Sequence, residues 1–127
     1  MIKLDVNEQD RILTIEMKGM VSEADIDEAM DALQARYPAV GLHLRGGERG
    51  GFSILADWLD LEGWEKGAKT LGTVTGKTIG DAVRKIAVIA GSQFAEEQPR
   101  LVDVAPGAKV RFFSPGQRDD AVTWLRR

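Results

Sequence analysis

The 127-residue chain has no cysteine, which removes disulfides, thiolate nucleophiles and cysteine-ligated structural zinc together. Its single histidine, His43, leaves no imidazole cluster for a transition metal. No long hydrophobic run is present either. The longest, Ile86–Gly91 and Phe52–Ala56, fall far short of the roughly 18 residues that a membrane-spanning helix needs. The first residues, MIKLDVNEQD, alternate apolar and polar positions and lack a continuous signal core, so a cytoplasmic location is expected, with peripheral contact at a membrane left open. A strong net charge is missing as well: the balance is −3. With Lys and Arg scattered rather than striped, no nucleic-acid partner is expected.

What is present fits one ordinary domain over residues 1–127, with 43% hydrophobic and 29% charged residues. The charge is segregated along the chain. Residues 1–65 carry 14 acidic and 6 basic side chains and residues 66–127 carry 6 and 11, or −8 against +5. This division reads first as two solvated faces, and otherwise as a basic half that approaches an anionic surface or partner.

The stretch Phe52–Trp64, FSILADWLDLEGW, organises the reading. Phe52, Ser53, Ile54, Leu55 and Ala56 can be buried on both faces, as a central strand between two helical layers requires. Asp57 is then expected at the carboxyl end of that strand, where ligands of open α/β sheets usually sit. Ahead of it, Ile2, Leu4 and Val6, then Leu13, Ile15 and Met17, alternate with polar residues and predict two antiparallel strands, the second ending at Gly19. Ser22 and Asp25 form a capping-box pattern, followed by Ile26, Ala29, Met30, Leu33 and Tyr37 on one helical face bounded by Pro38. Residues 39–51 read as an insertion, a short strand or a glycine-rich loop.

Beyond the central strand, Trp64, Ala68, Leu71, Thr75, Ile79 and Ala82 keep roughly helical spacing, interrupted by Gly67, Gly72, Gly76 and Gly80. Each interior glycine weakens a helix by about 1 kcal/mol relative to alanine, so this segment is expected to be a weak, movable cover. Ile86–Gly91 predicts a buried parallel strand, with Ser92 capping a helix behind it. Lys109–Phe113 predicts a last strand. Ser114, Pro115 and Gln117 then predict an N-cap, first helical position and capping-box partner for a final helix docked by Ala121, Trp124 and Leu125.

Three tempting chemistries fail on spacing. Gly72–Thr78 is one residue short of a phosphate-binding P-loop and does not follow a buried strand. Ser92 lacks the G-x-S-x-G of a nucleophile elbow, and its only available imidazole is His43. Asp57, Asp60 and Glu62 have neither metal spacing nor a partner base and read as solvated loop acids. No catalytic residue, metal or cofactor is therefore expected, and the chain is read as not an enzyme. Trp58 and Trp64 flank the strand end, either as core or as the wall of an apolar pocket.

The paired N-terminal strands, the Ser-capped acidic helix, Asp60-Leu61-Glu62-Gly63-Trp64, Arg84–Ile89, and Val110-Arg111-Phe112-Phe113 followed by Asp120–Leu125 resemble the SpoIIAA-like proteins of the STAS superfamily. That resemblance implies an α/β fold, a single SpoIIAA/STAS-like domain with a mixed sheet of four to five strands packed with helices. It also implies no established enzyme activity and an apolar cavity under a movable helical cover, likened to CRAL-TRIO lipid carriers. Regulatory members of the superfamily are switched by a phosphorylated serine at the start of a helix after a strand-terminal aspartate, whereas Asp57–Trp64 contains no serine or threonine.

Two roles stay open. One is the binding of a non-polar small molecule or lipid, or of a membrane surface, through Trp58, Leu61, Trp64, Ala68, Leu71 and Ile79, with Gly67, Gly72, Gly76 and Gly80 as hinges of the cover. The other is a protein-interaction module that regulates a partner without the phosphorylation switch. A dimer is compatible with either.

Overall fold

The computed structural model describes residues 1–36, 52–68, 83–94, 96, 99 and 108–127. Strands β1 (Ile2–Asn7) and β2 (Ile12–Val21) form the expected hairpin, with Ile2 opposite Met17, Leu4 opposite Ile15 and Val6 opposite Leu13. Strands β3 (Phe52–Trp64), β4 (Val83–Ile89) and β5 (Lys109–Phe113) follow in parallel with β2, so the order across the sheet is β1-β2-β3-β4-β5. One antiparallel strand at the edge of a parallel sheet makes the sheet mixed.

The strands place two cores on opposite faces because side chains alternate along them. Ile54, Ala56 and Trp58 join Ile86 and Val88 on the face that receives Ile26 and Leu33 of helix α1 (Glu23–Arg36). Leu55, Ala87, Ile89 and Phe113 join Ala121 and Leu125 of helix α2 (Arg118–Arg126) on the other. On β1 only one row is covered. Ile2, Leu4 and Val6 pack on the first core while Lys3, Asp5 and Asn7 stay exposed.

Helix α1 starts as its sequence predicts. The Asp25 N–H donates to Ser22 Oγ at 3.1 Å and the Ser22 N–H donates to Asp25 Oδ2 at 3.0 Å, a reciprocal capping box with Asp in the Glu/Gln position. Helix α2 starts later than expected. Gln117 Oε1 does accept the Ser114 N–H at 2.9 Å, and the Gln117 N–H donates to Ser114 O at 3.0 Å. Gly116 between them has φ +93°, which no right-handed helix contains. Ser114–Gln117 is therefore a closed turn, and the helix begins at Arg118.

The far end of α2 is held by β4. Lys85 Nζ donates to Trp124 O (2.9 Å) and Arg127 O (3.2 Å), and Arg84 Nη2 donates to Leu125 O (3.2 Å) and Arg127 O (3.3 Å). Two cations thus meet the carbonyls at the helix C-terminus, where Trp124 O also accepts the Arg127 N–H at 3.4 Å. Burial, and after it the neighbouring Arg84, Lys109 and Arg127 charges, hold the Lys85 ammonium below its ordinary pKa.

Candidate functional site

The central strand is longer than its apolar run. Asp57 does not end it: β3 continues to Trp64 and β2 continues past Gly19 to Val21. Strand β4 stops at Ile89, opposite Asp57, and β1 reaches only to the level of Met17. Beyond Lys18, which still exchanges hydrogen bonds with Met1, Gly19–Val21 and Asp60–Trp64 run on as a two-stranded ribbon past the neighbouring strands.

Two register shifts shape this ribbon. Glu16 faces Asp57 but Lys18 faces Asp60, and Gly19 faces Leu61 but Met20 faces Gly63. Each shift inserts one extra residue on β3, and a β-bulge of that kind advances the inward-facing position by one. Trp58, Leu61 and Trp64, three residues apart, consequently share a face, with Trp58 and Leu61 buried and Trp64 packed half-buried against them. The sequence pattern puts Trp64 at the start of the helical spacing that runs on to Ala68 and Leu71. Trp64 is the last strand residue instead, and the Glu65 N–H donating to Val21 O at 2.8 Å ties down the turn that follows.

Asp57 builds the first bulge. Its Oδ1 accepts the Leu59 N–H at 3.0 Å and its Oδ2 accepts from Arg118 Nη1, at the start of α2, at 2.8 Å. One carboxylate both satisfies a backbone donor at the bulge and anchors the helix on the opposite face from Trp58. The three candidate acids do not converge. Asp57 is paired, while Asp60 and Glu62 lie exposed on the ribbon, and among the described residues no group of three His, Asp or Glu is arranged to hold a metal. They are strand residues, not loop acids.

Around Trp58 the carboxyl ends of three parallel strands bring aromatic rings together. Its ring centroid lies 5.2 Å from Trp64, 5.5 Å from Phe94 and 5.8 Å from Phe112, with interplanar angles of 82°, 68° and 86°. Trp64 and Phe94 are 6.0 Å apart. These are edge-to-face contacts, the geometry that the ring quadrupoles favour. Phe94 arrives on a single 3-10 turn, Ser92–Phe94, just after β4. Trp58 Nε1 is, among the described residues, the one buried side-chain polar atom without a hydrogen-bond partner.

Of the residues expected to bind, the structure brings together Trp58, Leu61, Trp64 and Ala68, all in or against one core. Ala68 is fully buried, its N–H donating to Lys66 O at 2.7 Å. Gly67 has φ +81° in the turn between Trp64 and Ala68. Leu71, Ile79, Gly72, Gly76 and Gly80, together with the insertion at 39–51, lie outside the described residues. Phe112 was not singled out by its sequence. It enters the sequence reading only as part of the last strand and of the Val110–Phe113 stretch of the family resemblance. Arg118 gives no sequence signal as a partner for Asp57, 61 positions away.

The described residues form a five-stranded mixed sheet with an antiparallel strand at its edge and a helix packed on each face, a SpoIIAA-like α/β fold. Residues 12–126 match the SpoIIAA-like family, and the chain belongs to that family. Among solved structures it is similar to an uncharacterised DUF3478-family protein with a SpoIIAA-like fold from Shewanella loihica PV-4, at 20% identity and TM-score 0.76, over 98% of this chain and 92% of that one. It is also similar to the anti-sigma factor antagonist SpoIIAA in its unphosphorylated form, at 11% identity and TM-score 0.58, over 97% and 98%. No curated protein matches the chain. Among the described residues no helix is long and apolar enough to cross a membrane.

Proposed function

We propose that the chain is a non-enzymatic binding module that takes a non-polar small molecule against Trp58, Leu61, Trp64 and Ala68, with Leu71 and Ile79 added from the sequence pattern. The observation that carries this reading is the gathering of four rings at the carboxyl ends of β3, β4 and β5, with Trp64 left half-buried at its margin. That edge of an open sheet is where ligands are usually held. The nearby acid, Asp57, is committed to Leu59 and Arg118, which supports a binding role over acid–base chemistry.

Native mass spectrometry of freshly purified protein should show a small hydrophobic adduct. Trp64→Ala should weaken binding of an apolar fluorescent probe at least tenfold, about 1.4 kcal/mol, while lowering folding stability by less than that. Equal losses would make Trp64 ordinary core and end the proposal.

One observation favours a second reading, the protein-interaction module. Met20 and Leu59, on or beside the projecting ribbon, are exposed at 49% and 43%. Asp57–Trp64 offers no hydroxyl to phosphorylate and forms strand where the switch of regulatory relatives needs a helix start, so such a module would act without that switch. A Met20→Glu, Leu59→Glu double variant would then lose a stoichiometric protein partner and keep probe binding.

A further inference from the structure

We infer that the guest carries a neutral hydrogen-bond acceptor, a ketone, ester or amide carbonyl oxygen, that meets the indole N–H of Trp58. This rests on the reading above and adds to it the chemistry of the guest's polar end. Trp58 is 5% exposed, and its Nε1 has no hydrogen-bond partner. A buried donor left unpaired costs folding free energy that an all-carbon side chain would avoid. The ring is held edge-to-face by Trp64, Phe94 and Phe112, so turning it toward another acceptor would break three aromatic contacts at once.

Water is a poor candidate for the missing acceptor. A buried water needs about two to four polar partners, and the rings that enclose Trp58, those of Trp64, Phe94 and Phe112, offer no acceptor. The same surroundings select the guest's charge. An ionised carboxylate or phosphate would lose its hydration and gain one neutral donor with no cation among these side chains, a large net loss. A carbonyl is desolvated far more cheaply and matches the single N–H. The guest is therefore an apolar body with one neutral acceptor rather than a free fatty acid or a phospholipid headgroup.

The test uses the full chain and three probes of similar length: undecane, 2-undecanone and undecanoate. Binding is measured by calorimetry, and the Trp58 Nε1–H signal is followed by 15N NMR, assigned with Trp64→Phe and Trp124→Phe variants. The expected result is that 2-undecanone binds about five- to tenfold more tightly than undecane and moves the Trp58 signal downfield. Undecanoate at neutral pH should bind more weakly than the ketone, and Trp58→Phe should bind ketone and alkane alike. Equal binding of ketone and alkane to the wild type, with the signal unmoved, overturns the acceptor while leaving the apolar-guest reading intact. Tighter binding of undecanoate overturns the neutral class. Binding of none of the three overturns both. Where Trp58→Phe fails to fold, the wild-type affinities and the NMR signal decide alone.

Discussion

Asp57 has two partners that are satisfied on different terms. Removing its carboxylate breaks the part-buried bond from the Leu59 N–H, and a hydrogen bond to a charged group contributes about 1.5–3 kcal/mol. The bond to Arg118, whose side chain is 49% exposed, contributes only about 0–1 kcal/mol because solvent screens it. Asp57→Ala is therefore expected to destabilise by about 1.5–3 kcal/mol and Asp57→Asn, which keeps an acceptor for Leu59, by clearly less. Equal losses in urea denaturation would show that the bulge does not depend on this acceptor. At the other end of β2, Ser22→Ala should cost about 1 kcal/mol. Its partner Asp25 is held below the ordinary carboxylate value of 3.8, chiefly by the Ser22 backbone N–H. Between the two values the unfolded chain binds more protons than the folded one. The contribution is thus complete above about pH 4 and is lost as pH falls from 3.8 through the folded value. Asp25→Asn should lose less stability than the wild type between pH 5 and pH 3, measured from urea midpoints. The Ser22 cap is legible in the sequence because its residues lie three apart; the Asp57–Arg118 pair is not, because nothing local joins them.

At the scale of the element, β3 decides where the site is. The apolar run Phe52–Ala56 identifies a buried strand, but the strand's end depends on pairing with β2, and pairing is invisible to periodicity. Two extra residues on β3 turn an alternating pattern into one of three, which keeps Trp64 in the strand and on the face of Trp58 and Leu61 although its spacing to Ala68 and Leu71 is helical. The bulges also need backbone conformations that side chains oppose. Gly19, at the second shift, has φ +66°, and a side chain there costs about 1–2 kcal/mol. Gly19→Ala should lower stability by that amount and reduce ordering of the ribbon, read as faster amide exchange at Leu61 and Trp64. Gly19→Asn should cost less, since Asn tolerates this region better. Unchanged exchange would mean the ribbon does not require the left-handed residue. Similarly, Ser114–Gln117 contains every sequence sign of a helix start, and Gly116 diverts the backbone into a turn.

Over the whole molecule, the two cores share β3, β4 and β5, whose alternate residues point to opposite faces. They are expected to unfold together. Leu125→Ala, in the core under α2, should cost about 2–5 kcal/mol and shift one common transition. In a Trp124→Phe background, where the remaining indoles lie on the other face, fluorescence and far-ultraviolet circular dichroism should give the same midpoint. Two separate midpoints would mean two independent cores and contradict a single domain. The sequence by itself determined the hairpin, the capped acidic helix and the buried strands, because apolar periodicity and cap residues act within a few positions. Only the tertiary structure decided that β3 runs on past Asp57, that Arg118 answers Asp57, and that Trp58, Trp64, Phe94 and Phe112 meet around one unpaired N–H. Those facts depend on strand register and on contacts between residues far apart in the chain, and neither leaves a trace in local spacing.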